Sequence, residues 1–161
     1  MNYRQEYEKW LASPALSEDE RNELKAIAND EKENENRFYG PLEFGTAGLR
    51  GTMYVGLHNM NRHVIRWATQ GFANVIRAEG TEAMNKGVAV CMDCRNHSAE
   101  FARETACVMA ANGITVKLFE SLRPTPELSF AVREYGCEAG INVTASHNPK
   151  EYNGYKVYWS D

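Results

Sequence analysis

Residues 87–92 read Gly87-Val88-Ala89-Val90-Cys91-Met92, and residues 138–143 read Glu138-Ala139-Gly140-Ile141-Asn142-Val143. Both are short apolar runs, the pattern of strands buried inside a sheet. Between them, Ser98 to Ala111 has helical spacing, with Gly113 as its stop. Ile114 to Phe119 reads as a strand, and Pro126 to Tyr135 as a helix with proline in its first turn and Gly136 after its end. Tyr155 to Trp159 adds a further strand. Strand, helix, strand, helix, strand specifies an α/β fold: a layered α/β/α domain with a mixed, largely parallel sheet.

Upstream, Asn61 is an N-cap for a helix whose apolar residues Val64, Ile65, Ala68, Phe72, Val75 and Ile76 recur until Gly80. A glycine-rich loop precedes it, Phe44-Gly45-Thr46-Ala47-Gly48-Leu49-Arg50-Gly51-Thr52. Residues 3–12 and 18–35 read as two charged helices, broken at Ser13-Pro14, with Ser17 and Glu20 as a capping box. The expected organisation is a helical N-terminal arm over residues 1–37 and an α/β domain over residues 38–161.

The chain has 161 residues, 43% hydrophobic and 25% charged, which describes a globular domain and excludes a disordered or collagen-like one. No apolar run approaches the ~20 residues of a membrane-spanning helix. The net charge of −4 is uneven. Residues 1–37 hold ten acids and six bases, and residues 38–161 hold twelve of each. Without a basic excess, no nucleic-acid partner is expected, and no membrane partner either. The polar start, MNYRQEYEKWLASP, lacks a secretion signal, so the expected location is cytoplasmic and Cys91, Cys94, Cys107 and Cys137 read as reduced thiols. Cys91-Met92-Asp93-Cys94 is a Cys-x-x-Cys, but no second pair follows at a zinc-binding spacing, and buried thiols are the reading.

Three polar loops follow the three predicted parallel strands. They carry Asp93-Cys94-Arg95-Asn96-His97, Arg123-Pro124-Thr125-Pro126 and Thr144-Ala145-Ser146-His147-Asn148-Pro149. Ligands of parallel α/β sheets bind at the carboxyl ends of strands, so the loops point to one site. Pro149 biases Asn148 toward extended backbone, which places Ser146 on a rigid exposed bend. A serine so held can be a nucleophile or carry a phosphoryl group; the plain alternative is a simple turn.

The string Thr144-Ala145-Ser146-His147-Asn148-Pro149, followed by Asn153-Gly154-Tyr155-Lys156, resembles the phosphoserine loop of the α-D-phosphohexomutases. The loop Gly45-Thr46-Ala47-Gly48-Leu49-Arg50-Gly51 resembles the same family's N-terminal signature. Together with Met60-Asn61, its wording is most similar to the phosphoglucomutase/phosphopentomutase branch. The resemblance covers roughly residues 38–161. It implies that Ser146 is phosphorylated, passes its phosphoryl to a sugar phosphate, and regains one from a sugar bisphosphate intermediate. It places Arg50 and Lys156 beside a phosphoserine of about −1.5 to −2 charge. His147 and Lys156 become the proton-moving candidates, with Lys156 preferred because burial would depress its pKa.

Asp93 and Arg95 resemble the family's Asp-x-Arg turn and read as a structural pair, whereas Arg123 would add positive potential. The resemblance also implies Mg²⁺, bound in part by the phosphate on Ser146. The only aspartates are Asp19, Asp30, Asp93 and Asp161, so no acidic metal loop is visible. The expectation is therefore the first domain of a longer sugar phosphate mutase, inactive without its remaining domains. The alternative is a stand-alone, non-catalytic domain that binds phosphorylated sugars or a protein partner through the same loops.

Overall fold

The computed structural model describes residues 2–46 and 48–160. Its centre is a parallel trio: β2 (Val88–Met92) between β3 (Val116–Leu118) and β4 (Ala139–Val143), with Val90 opposite both Leu118 and Ile141. β5 (Tyr152–Trp159) runs antiparallel against β4, and β1 (Leu49–Thr52) antiparallel against β5, giving the order β1-β5-β4-β2-β3.

All five residues of β2 and of β4 are buried, and their alternation divides the core. Val88, Val90, Met92, Ile141 and Val143 pack with Ile65, Ile76, Phe101 and Met109 of α4 (Arg62–Ala78) and α6 (Ser98–Ala111). Ala89 and Cys91 face Leu128 and Val132 of α7 (Thr125–Glu134) on the other side. A sheet covered on both faces is why these strands read as continuous apolar runs. The layered architecture and mixed, largely parallel sheet are those the sequence implies.

The N-terminal segment forms α1 (Tyr3–Leu11), α2 (Glu18–Ala26) and α3 (Glu31–Phe38) around Tyr7, Leu16, Leu24, Phe38 and Val55. The expected helix over 18–35 is thus two, because Asp30 accepts from Glu33 N and starts a new helix. The Ser17–Glu20 capping box is formed. Glu23 Oε1 accepts from Arg37 Nη1 (2.6 Å) and Val55 N (2.9 Å), which fastens these helices to the loop after β1.

Asn61 performs two tasks. Its Oδ1 caps α4 by accepting from His63 N and Val64 N (both 3.1 Å), while Nδ2 donates to Tyr54 O (3.0 Å) and Gly56 O (2.8 Å). Asn61→Ala should therefore lower stability by about 2–3 kcal/mol, more than a simple cap. Asn61→Asp keeps the cap but loses both donors and falls short of the native chain. Urea unfolding checks this, and a loss under about 0.5 kcal/mol for Asn61→Ala contradicts it.

Candidate functional site

Met92 stands opposite Val143, so the chain leaves β2 and β4 side by side, and Asp93 N donates to Val143 O (3.2 Å). Asp93 organises both of the loops that begin there. Its Oδ1 accepts from Arg95 N (3.0 Å) and Ser98 Oγ (2.9 Å), and its Oδ2 from Thr144 Oγ1 (2.6 Å), with Arg95 Nε at 3.4 Å. Thr144 Oγ1 in turn accepts from Ser146 N (3.1 Å).

Arg95 then closes the loop from below. Its Nη2 donates to Ser146 O (2.8 Å) and Asn148 O (2.7 Å), and its Nη1 to Pro149 O (2.9 Å) and Tyr152 O (3.1 Å). A planar guanidinium suits this task because its donors diverge in one fixed plane. Within that cradle Ser146 is exposed and adopts φ +56, a left-handed conformation costing about 1 kcal/mol or more for a residue with a Cβ.

The glycine loop locks against the same structure. Gly48 has φ +82, and a Cβ there would lie 2.2 Å from Tyr155 O. A Cβ at Gly154 would lie 2.6 Å from Thr144 O and 2.8 Å from Leu49 O. Only hydrogens at these two positions let the glycine loop, β5 and the serine loop meet. Arg50 stands opposite Gly154 and donates from Nη1 to Asn148 Oδ1 (2.7 Å), which joins β1 to the serine turn.

Lys156 lies two residues beyond Gly154 and opposite Asn142, so strand alternation puts it on the same sheet face as Arg50. It is half-buried. Asn142, its cross-strand partner, donates to Thr125 Oγ1 (2.7 Å) at the start of α7. His147 is exposed, with Nδ1 3.4 Å from Ser146 Oγ, beyond a firm hydrogen bond. Ser146, His147 and Arg50 are thus assembled at one loop, and Lys156 shares Arg50's face.

Arg123 is ion-paired with Glu127 at 2.7 Å, so its charge is offset locally. The Cys-x-x-Cys is divided: Cys91 is buried and its thiol is pushed up to about 12 by burial, with Glu127 and Asp93 adding to the shift. Cys94 is exposed, and all four cysteines are free. Among the described residues no group of three or more His, Cys, Asp or Glu side chains could hold a metal ion. Both oxygens of Asp93 are already engaged by Arg95, Ser98 and Thr144. These residues do not fit a Mg²⁺ site by themselves. No described helix is long and apolar enough to cross a membrane.

Residues 41–161 match the family model described as phosphoglucomutase/phosphomannomutase, alpha/beta/alpha domain I. A Homo sapiens phosphopentomutase is 42% identical over 142 residues, which cover 84% of this chain and 23% of that protein. A phosphoglucomutase of Staphylococcus aureus (strain bovine RF122 / ET3-1) is 44% identical over 129 residues, covering 80% and 23%. The crystal structure of a protein assigned as a phosphomannomutase from Thermus thermophilus superposes with a TM-score of 0.67 at 32% identity, over 74% of this chain and 26% of that one. The chain spans about a quarter of the length of the curated relatives it matches.

The clamp generates a prediction. Arg95→Ala should free the 145–149 turn, with local opening easier by about 3 kcal/mol and amide exchange there roughly a hundredfold faster. Amides of β2 and β4 should stay protected. Arg95→Lys should not restore protection, because a lysine has three rotating donors and no fixed fork. Unchanged exchange in 145–149 would contradict the clamp.

Proposed function

Because the chain belongs to the phosphoglucomutase/phosphomannomutase family, we propose that it supplies the phosphoserine of a sugar phosphate mutase, with Ser146 as the phosphoryl carrier. On this reading residues 38–161 are the family's first domain and residues 1–37 a helical arm laid against it. The observation that carries the proposal is the serine turn, strained, exposed and held between Arg95 behind it and Arg50 beside it.

In the proposed cycle a hydroxyl of a phosphorylated sugar attacks the phosphorus of phosphoserine 146. A bond forms from that oxygen to phosphorus, and the Ser146 Oγ–phosphorus bond breaks. The hydroxyl proton passes to a base, for which Lys156 and His147 are the candidates, and a proton returns to Ser146 Oγ. The product is a sugar bisphosphate, and return of its other phosphoryl to Ser146 completes the exchange of positions. Arg50 offsets charge on the transferring group, with a charge-assisted hydrogen bond contributing about 1.5–3 kcal/mol. An exposed serine in a preset turn suits phosphoryl transfer, where positioning and charge stabilisation supply most of the catalysis.

Incubating a full-length mutase that carries this domain with glucose 1,6-bisphosphate and Mg²⁺, and mapping its phosphopeptides, tests the carrier directly. Phosphate should appear on Ser146, be absent from Ser146→Ala, and form at least about tenfold more slowly in Arg50→Ala. Phosphate on a different serine overturns the proposal. The same reading expects no mutase turnover of glucose 1-phosphate by the 161-residue chain alone. Sustained turnover by the purified chain would refute that part.

A further inference from the structure

Asn142 is the single polar residue in the apolar run of β4, and it is only 1% exposed. A buried amide costs stability unless both of its ends are bonded. One end is, since Nδ2 donates to Thr125 Oγ1 (2.7 Å) at the start of α7. The other is not: Oδ1 has no hydrogen-bond partner among the described residues. A leucine or valine would occupy this position with no unpaired acceptor, so packing does not account for the amide.

Few side chains on the same face of the sheet can reach it. Cys91 stands opposite Asn142 in β2, and Lys156 stands opposite it in β5. Thr144 follows two residues on, but its hydroxyl already donates to Asp93 Oδ2 (2.6 Å). The Cys91 thiol is a weak donor, whereas the Lys156 nitrogen is a strong one. Residues paired across an antiparallel ladder have Cβ atoms about 5 Å apart, within reach of a lysine that turns toward its partner. Lys156 is half-buried and forms no ion pair among the described residues. A strong donor without a carboxylate thus stands beside a buried acceptor without a donor.

We propose that Asn142 is a positioning residue for Lys156, its Oδ1 accepting a hydrogen bond from Lys156 Nζ while that nitrogen takes the proton of the attacking sugar hydroxyl. This rests on the mutase reading, with Lys156 as the base. A neutral amine has N–H donors and one lone pair, and committing an N–H to Oδ1 restricts rotation about the Cε–Nζ bond and directs the lone pair. The bond from Nδ2 to Thr125 holds the amide in turn.

As the proton moves, the hydroxyl O–H bond breaks and a new N–H bond forms on Nζ. The resulting ammonium keeps its bond to Oδ1. That bond strengthens as charge develops, because charge-assisted hydrogen bonds are roughly twice as strong as neutral ones. It therefore stabilises the transition state more than the bound substrate. An amide suits this task better than a carboxylate, which would hold Lys156 as the ammonium and leave it no lone pair.

Asn142→Leu in a full-length mutase that carries this domain tests the assignment. With glucose 1-phosphate, kcat should fall about tenfold while KM stays within about twofold, since the bond gains strength only as charge develops. Urea unfolding should show no loss of stability, because the substitution removes a buried, unpaired acceptor. Lys156→Met should be slower by about a hundredfold or more, and adding Asn142→Leu to it should cost nothing further. An unchanged kcat in Asn142→Leu, or an equal loss in both backgrounds, overturns the proposal. Should Asn142→Leu fail to fold, Asn142→Val gives the same comparison. A Lys156→Met enzyme with native kcat would sink Lys156 as the base; a slow Lys156→Met enzyme beside an unaffected Asn142→Leu would sink Asn142 alone.

Discussion

One guanidinium determines the shape of the serine turn. Arg95 follows the end of β2 and donates to the carbonyl oxygens of Ser146, Asn148 and Pro149 in the turn and of Tyr152 at the start of β5. Its side chain is only 12% exposed, so its charge needs a counterpart, and Asp93 stands 3.4 Å from Nε. Asp93 is itself fixed by Ser98 and Thr144, and Thr144 holds Ser146 N. Removing any one of these leaves the others partly buried and unpaired, which is costlier than the bond itself. The turn is thus determined by a polar network and not by packing, and it is legible as a unit only in three dimensions.

The left-handed φ of Ser146 follows from that network. Strain of about 1 kcal/mol or more persists where surrounding bonds over-determine a residue, and here both flanking peptides are held. Gly48 and Gly154 complete the constraint by letting β1 and β5 close in from the other side, which carries Arg50 to Asn148. Arg95 and Arg50 consequently have different work, despite sharing a charge and a loop. Arg95 is consumed in building the turn, whereas Arg50 touches it through one side-chain amide and retains donors.

The layered fold was legible in sequence because β2 and β4 are buried on both faces and leave unbroken apolar runs at residues 88–92 and 139–143. α4 was legible from Asn61 and its periodicity. The elements that escaped were short or disguised. β1 is four residues inside a glycine loop, and its pairing with β5 comes from residues 100 or more positions away. β5 begins at Tyr152, ahead of the apolar stretch, because Asn153 and Gly154 look like turn residues until the Gly154 contacts are seen. α5 (Thr81–Lys86), six residues between Gly80 and Gly87, has no side-chain cap to signal it. At the candidate site, the serine string and Asp-x-Arg spacing marked the two loops that Asp93 and Arg95 join. The clamp did not show, because Arg95 binds main-chain oxygens more than 50 positions away, and carbonyls carry no sequence signature.

Net charge was informative only once each acid had a place. The −4 belongs to residues 1–37, which read as a charged helical arm. In the fold, Glu20 accepts from Arg62 (2.8 Å) and His63 (3.0 Å), and Glu23 and Glu33 hold Arg37. Burial outweighs the Glu20 attraction at His63 and lowers its pKa, so that contact is largely a neutral hydrogen bond. The N-terminal acids therefore neutralise cations on their own side of the molecule. Arg37 is thereby ion-paired twice, whereas Arg50 reaches only the Asn148 side-chain oxygen and forms no ion pair among the described residues. That difference comes from the packing of α2 and α3, which brings Glu23 and Glu33 to Arg37, and not from the serine loop itself.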